Sequence, residues 1–125
     1  IYPLNGADEN FICLTTVDFA LTYFLVSGEL ERSGVPINMV ISDAGGLSVL
    51  TAWAAGKLSS TSISKFINEN VADKVKSRKL IIPGKVAVLK GDLEAKLPDW
   101  EIIVAPNEAV QLVKFLKDMK ENGQL

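Results

Sequence analysis

The chain of 125 residues has no histidine and one cysteine, Cys13. Without histidine it lacks the commonest metal ligand and the side chain that most often acts as a general base near neutral pH. One thiol allows no internal disulfide and cannot supply the set of thiolates that holds an iron–sulfur cluster. Neither charge sign prevails, since 13 basic and 15 acidic residues give a net charge of -2. Spread evenly along the chain, they form no basic face for a phosphate backbone, so no nucleic-acid partner is expected. The apolar stretches fall well short of the ~20 residues that a membrane-spanning helix requires, and the start shows no basic-then-apolar leader pattern. No membrane association and a cytoplasmic setting are therefore expected. The start at Ile1-Tyr2-Pro3, without an initiator methionine, leads to the expectation of a domain cut from a longer chain.

What is present is a hydrophobic fraction of 48%, enough to fill one core of this size. The segment from Asn10 to Thr15 is apolar and rich in β-forming residues, and reads as a buried strand. Val17, Ala20, Leu21, Phe24 and Leu25 then recur at helical spacing. Thr15 and Asp18 have the offset of a capping box, and Gly28 or Gly34 could end the helix. The unit repeats after Pro36: Ile37 to Ser42 is strand-like, Asp43-Ala44-Gly45-Gly46 is a turn, and Val49, Leu50, Trp53 and Ala54 mark a second helix closing at Gly56. Ser59 to Ser62 can cap a third helix with Ile63, Phe66, Ile67 and Val71 on its inner face.

Lys79 to Ile82 is the next strand, ended by Pro83-Gly84. Val86 to Leu89 is read as a further strand, followed by Gly91-Asp92 and a short helical stretch from Leu93 to Leu97. Trp100 to Val104 is the last strand, and a final helix carries Ala109, Leu112, Val113 and Leu116 on one face. Strands alternating with helices need crossover connections. Those are right-handed and place helices on both faces of a mostly parallel sheet, so the expected class is α/β, Rossmann-like or flavodoxin-like. In such sheets ligands sit beyond the carboxyl ends of the strands.

The segments that follow the strands are Thr15-Thr16, Asp43 to Ser48, Pro83-Gly84-Lys85, Lys90 to Leu93 and Ala105 to Glu108. They are small and mostly neutral. Glycine there lets a large flat ligand approach the backbone, and Thr, Ser and Asn offer neutral hydrogen bonds suited to amides; glycine and proline are also ordinary turn punctuation. Sharper motifs are missing. The first strand is followed by Thr15-Thr16-Val17, not by a dinucleotide-type glycine turn or a phosphate loop, which argues against a flavin or nucleotide domain. Only Asp18 and Asp43 lie where a phosphoacceptor would cluster carboxylates, and either is equally a helix cap. Cys13 lies within a strand pattern and reads as a small buried apolar residue. Trp53 and Trp100 read as core, and Glu29, Glu31 and Arg32 as a solvated helix end.

Several segments in order carry a family likeness. The run Thr16-Val17-Asp18-Phe19-Ala20-Leu21-Thr22-Tyr23-Phe24, with Val26, Gly28-Glu29 and Val35-Pro36, resembles the C-terminal domain of the large (gamma) subunit of the corrinoid iron–sulfur protein of the CO dehydrogenase/acetyl-CoA synthase system. Ser48 to Lys57, Arg78 to Gly84, Leu97 to Glu101 and Pro106 to Ala109 are similar to segments of the same family, so the likeness covers most of residues 10 to 118. Three places depart from the family pattern: Ser77 stands where histidine is common, Ala105 where glycine is usual, and Ala44-Gly45-Gly46-Leu47 where an acidic-glycine-methionine run is usual.

The resemblance implies a Rossmann-like domain that grips a corrinoid (a B12-type cobamide) and carries a methyl group from methyltetrahydrofolate, through a methyltransferase, to acetyl-CoA synthase in the reductive acetyl-CoA pathway. It further implies a small subunit and a reductive activator as partners. The iron–sulfur cluster belongs to an N-terminal part that this chain lacks. No independent catalysis is expected of the domain. With no histidine to ligate cobalt from below, binding would be base-off and His-off. The implied cofactor contacts are Thr16, Phe19, Thr22, Gly45, Gly46, Leu47, Ser48, Thr51, Pro83, Gly84, Gly91, Leu93, Pro106 and Asn107, with Phe19, Leu47 and Leu93 packing on the macrocycle. The alternatives are a cofactor-free interaction domain and a carrier serving a different methyltransferase system.

Overall fold

The computed structural model describes residues 2–8, 10–17, 20–42, 46, 49–106 and 111–122. In chain order it contains β1 (Tyr2–Leu4), β2 (Cys13–Val17), α1 (Ala20–Ser33), β3 (Ile37–Ser42), α2 (Val49–Ala54), α3 (Ser60–Asn70), β4 (Lys79–Ile82), a 3-10 helix (Gly84–Leu89), α4 (Lys90–Lys96), β5 (Glu101–Val104) and α5 (Leu112–Glu121). The strands form one sheet in the order β1-β3-β2-β4-β5. All neighbours are parallel except β1, which runs antiparallel along β3 with Pro3 opposite Asn38. Counting the parallel strands alone, the second lies to one side of the first, and the third and fourth to the other. This is the flavodoxin-like arrangement of an α/β fold.

Parallel strands in such a sheet are covered on both faces, so they read as continuous apolar runs whose side chains part alternately to two cores. β4 shows the division: Leu80 and Ile82 join one buried cluster with Cys13, Val40, Ile63, Ile67 and Leu93, while Ile81 joins the other with Leu14, Met39, Leu30 and Leu116. The first cluster takes in residues of α2, α3, the 3-10 helix and α4, and the second those of α1 and α5, which pack against each other. The apolar pattern fixes the inner faces of α3 and α5. Ile63, Ile67 and Val71 on one, and Leu112 and Leu116 on the other, are all buried, while Phe66 and Val113 are half-buried.

Caps and turns follow the sequence at several points. Ser59 begins α3 with extended backbone; its Oγ accepts from Ser62 N–H at 3.1 Å, and Ser59 N–H donates to Ser62 Oγ at 2.9 Å, a capping box with serine at both ends. Gly34, just past α1, has φ of 68°, a left-handed conformation that glycine adopts without steric cost. Two asparagines fasten the segment around β1. Asn5 donates from Nδ2 to the Leu30 and Val35 carbonyls at 2.9 and 3.0 Å, and Asn38 to those of Asp8 and Phe11 at 2.8 and 3.1 Å.

Other expectations are corrected. Val86 to Leu89 is not a strand but part of the 3-10 helix. Val86 and Leu89 are buried at three-residue spacing and Val86 N–H donates to the Pro83 carbonyl at 3.1 Å, so the period here is three rather than two. The first predicted strand runs further than Thr15, since β2 is Cys13–Val17; Thr15 is a strand residue, not a helix cap, and Asp18 lies outside the described residues. β1 went unread because three residues containing a proline make a weak signal, although proline is tolerated in an edge strand. On α1, Phe24 and Leu25 face outward and Val26 and Leu30 turn inward.

Glu29 is buried beside Arg32 Nη2, to which it is ion-paired, rather than solvated. Trp100 is core, with the Arg78 guanidinium 5.1 Å from its ring centroid, a cation–π contact. Trp53, expected in the core, is 45% exposed because six-residue α2 commits Val49 and Ala52 to the interior.

Replacing Ser59 by alanine removes the bond that Ser59 Oγ accepts from Ser62 N–H and leaves the one from Ser59 N–H to Ser62 Oγ in place. The substitution is expected to lower stability by about 1 kcal/mol, measured as the shift of the urea unfolding midpoint at constant slope.

Candidate functional site

The path of the chain through the sheet creates one geometric singularity. From β2 it crosses outward through α1 to β3, then returns over β2 through α2 and α3 to reach β4. Right-handed crossovers in opposite directions put these helices on opposite faces, and the connections leaving β2 and β4 diverge. A crevice opens between them at the carboxyl ends, the place where ligands settle in open α/β sheets. Here it lies between the end of β2, Thr16-Val17, and the end of β4, Ile82-Pro83.

Several expected contacts meet at this edge. Thr16 is buried near the end of β2, opposite Ile41 of β3. Pro83 follows β4 with φ of -59° and ψ of 136°, extended backbone that turns into the 3-10 helix at Gly84; both residues are half-buried. Pro106 is half-buried two residues beyond β5. Gly46, after β3, is exposed with φ of 75°, and Thr51 is exposed on α2. Thr22 lies in the first turn of α1, and its side chain is outside the described residues, as are Phe19, Gly45, Leu47, Ser48 and Asn107.

Two expected contacts are placed differently. Gly91 sits in the first turn of α4, not in a post-strand loop, and Leu93 has 0% exposure within the same cluster as Leu89 and Leu97. Loss of the predicted Val86–Leu89 strand explains both, because the residues after it then no longer start from a strand end. Three apolar residues are exposed: Leu50 and Trp53 on α2, which helical spacing groups with Val49 and Ala54, and Val88 on the 3-10 helix, in a stretch whose sequence reads as strand. Their spacing fits an inward or an outward face equally well, so periodicity alone gave no sign of which way they point.

The donor set bears on which group could be held. Among the described residues no three His, Cys, Asp or Glu side chains come together as a metal site. Cys13 opens β2, so four residues at ~3.3 Å each place its thiol roughly 13 Å from the carboxyl edge. Burial pushes that thiol up to about 11 despite the opposing charge of Arg78, which keeps it protonated and a poor ligand. No helix among the described residues is long and apolar enough to cross a membrane.

Two predictions follow from these placements. Because the folded Cys13 thiol titrates near 11 and the free thiol near 9, the unfolded chain loses its proton first. Stability should fall as pH rises through that window, and a Cys13→Ala chain should show a smaller fall in alkaline urea titrations. Gly91 has helical φ, and a Cβ there would meet nothing within 4 Å; Gly91→Ala should therefore raise the unfolding free energy by about 0.5–1 kcal/mol, read from the same titrations.

Comparison with known proteins adds family context to this geometry. The chain is similar to the corrinoid/iron-sulfur protein large subunit of Moorella thermoacetica, with 43% identity over 115 residues covering 91% of this chain and 26% of that protein. It is also similar to the acetyl-CoA decarbonylase/synthase complex subunit gamma of Methanopyrus kandleri, 35% identical over 118 residues, covering 94% of this chain and 25% of the relative. The subunit of the same description from Methanocaldococcus jannaschii is 33% identical over 119 residues, covering 94% and 24%. The chain thus spans about a quarter of the length of these curated relatives. With residues 1–116 matching its family model, the chain belongs to the family described as CdhD, CO dehydrogenase/acetyl-CoA synthase delta subunit.

Proposed function

We propose that this chain is a corrinoid-binding domain that carries a methyl group between partner enzymes of the acetyl-CoA pathway, and that it is one part of a longer polypeptide. The observation that carries the reading is the strand order β3-β2-β4, whose divergent connections bring the end of β2 at Thr16 beside Pro83-Gly84 at the end of β4. Family membership and the relative named a corrinoid/iron-sulfur protein large subunit support it.

When bound, the corrinoid supplies a cobalt centre able to take up a methyl group and pass it on. The protein's part is holding and shielding. Buried Thr16 supports the floor of the edge from within, and Pro83-Gly84 presents backbone with little side-chain bulk. Phe19, Thr22, Gly45, Gly46, Leu47, Ser48, Thr51, Pro106 and Asn107 complete the proposed cradle. Leu93 serves it indirectly, anchoring α4 from within the core. The chain has no histidine and would therefore offer no imidazole to a bound corrinoid; base-off and His-off binding is part of the proposed reading. The partners are a small corrinoid-protein subunit, a methyltransferase, acetyl-CoA synthase and a reductive activator.

The direct test mixes the chain with aquocobinamide, a corrinoid without a lower base, then desalts it and measures cobalt and the visible spectrum. Cobalt retained near one equivalent, with a shifted spectrum, is expected. A cobalt-free protein fraction and an unaltered spectrum would overturn the reading.

A further inference from the structure

Large apolar side chains left in water are informative when they gather near a ligand crevice rather than lying scattered. α2 starts beyond β3 and the 3-10 helix starts just beyond β4, and the two pack against each other although β2 lies between their strands. The packed pair therefore bridges the end of β2 on one face of the sheet, along one side of the crevice. Leu50 is 49% exposed, Trp53 45% and Val88 71%, and all three belong to this bridge. The chain itself gains nothing from their exposure, since Val49, Ala52, Val86 and Leu89 already bury the inner faces of the two elements.

Three adjacent strand ends, those of β3, β2 and β4, span about 10 Å at ~4.8 Å between neighbours, a width comparable to a tetrapyrrole-type ring. A ring laid over them extends to the bridge. Resting on the corrinoid reading above, we infer that Leu50 and Trp53, with Val88 beside them, form an apolar wall for the bound macrocycle and exclude water from one side of it. An indole suits that role because it offers a large rigid surface and loses little conformational freedom on contact.

The test compares aquocobinamide affinity, by equilibrium dialysis, for the unaltered chain and for Leu50→Ala, Trp53→Ala and Trp53→Phe. Because Trp53 lies on the surface, these chains should fold, with unfolding midpoints close to that of the parent. Trp53→Ala should weaken binding by roughly tenfold, the effect of about 1.4 kcal/mol of lost apolar burial. Leu50→Ala should weaken it severalfold, and Trp53→Phe should retain most of the affinity. A second readout uses the chain labelled with 5-fluorotryptophan, in which the fluorine resonance of Trp53 should move on saturation while that of buried Trp100 stays in place. Equal affinity of the parent and Trp53→Ala, or an unmoved Trp53 resonance at saturation, overturns the wall and leaves the corrinoid reading intact; the exposed face then serves a protein partner. Failure of the unaltered chain to bind overturns both.

Discussion

The structure depends on one strand with parallel neighbours on both sides. β2 pairs with β3 and with β4, and the chain reaches these neighbours by crossovers that leave in opposite directions. Handedness then places α1 on one face and α2 and α3 on the other, and the divergence opens the carboxyl edge. The same constraint explains why β2 and β4 tolerate no exposed polar face. Leu80, Ile81 and Ile82 are all buried, and the hydroxyls of Thr15 and Thr16 enter the interior as the strand approaches the crevice.

Two cores rather than one follow from this arrangement. Each face of the sheet buries alternate residues of the same strands, so a substitution in β4 that changes Leu80 or Ile82 acts on the α3 and α4 side, whereas Ile81 acts on the α1 and α5 side. Division of the interior into layers leaves the edge free of packing duties. Small neutral residues can stand there, and a ligand can be held without being surrounded. The buried thiol of Cys13 belongs to the interior and plays no part at that edge, which lies at the other end of its strand.

Membership of a family described by a subunit of CO dehydrogenase/acetyl-CoA synthase agrees with this division of labour. Under the proposed carrier role, geometry counts for more than reactive side chains, and the thiol of Cys13 is deeply buried. α2 adds exposed apolar surface on the same face, at Leu50 and Trp53.

The sequence by itself determined the α/β class, the strands at Ile37–Ser42 and Lys79–Ile82, the Ser59 cap and the inner faces of α3 and α5. Each of these rests on local chemistry or on a period carried through a long enough segment. Short elements were not legible. Val86 to Leu89 fits a strand or a tight helix, and Trp53 fits either side of a six-residue helix, because in so few residues the two periods do not separate. Thr16, Pro83 and Gly84 could be named in advance as residues that follow strands. Their meeting at one crevice could not, since it depends on the order in which distant strands pair. Tertiary structure alone decided that Leu93 would close the core and that Leu50, Trp53 and Val88 would face water. Which side of an element is covered depends on what the rest of the chain brings to it.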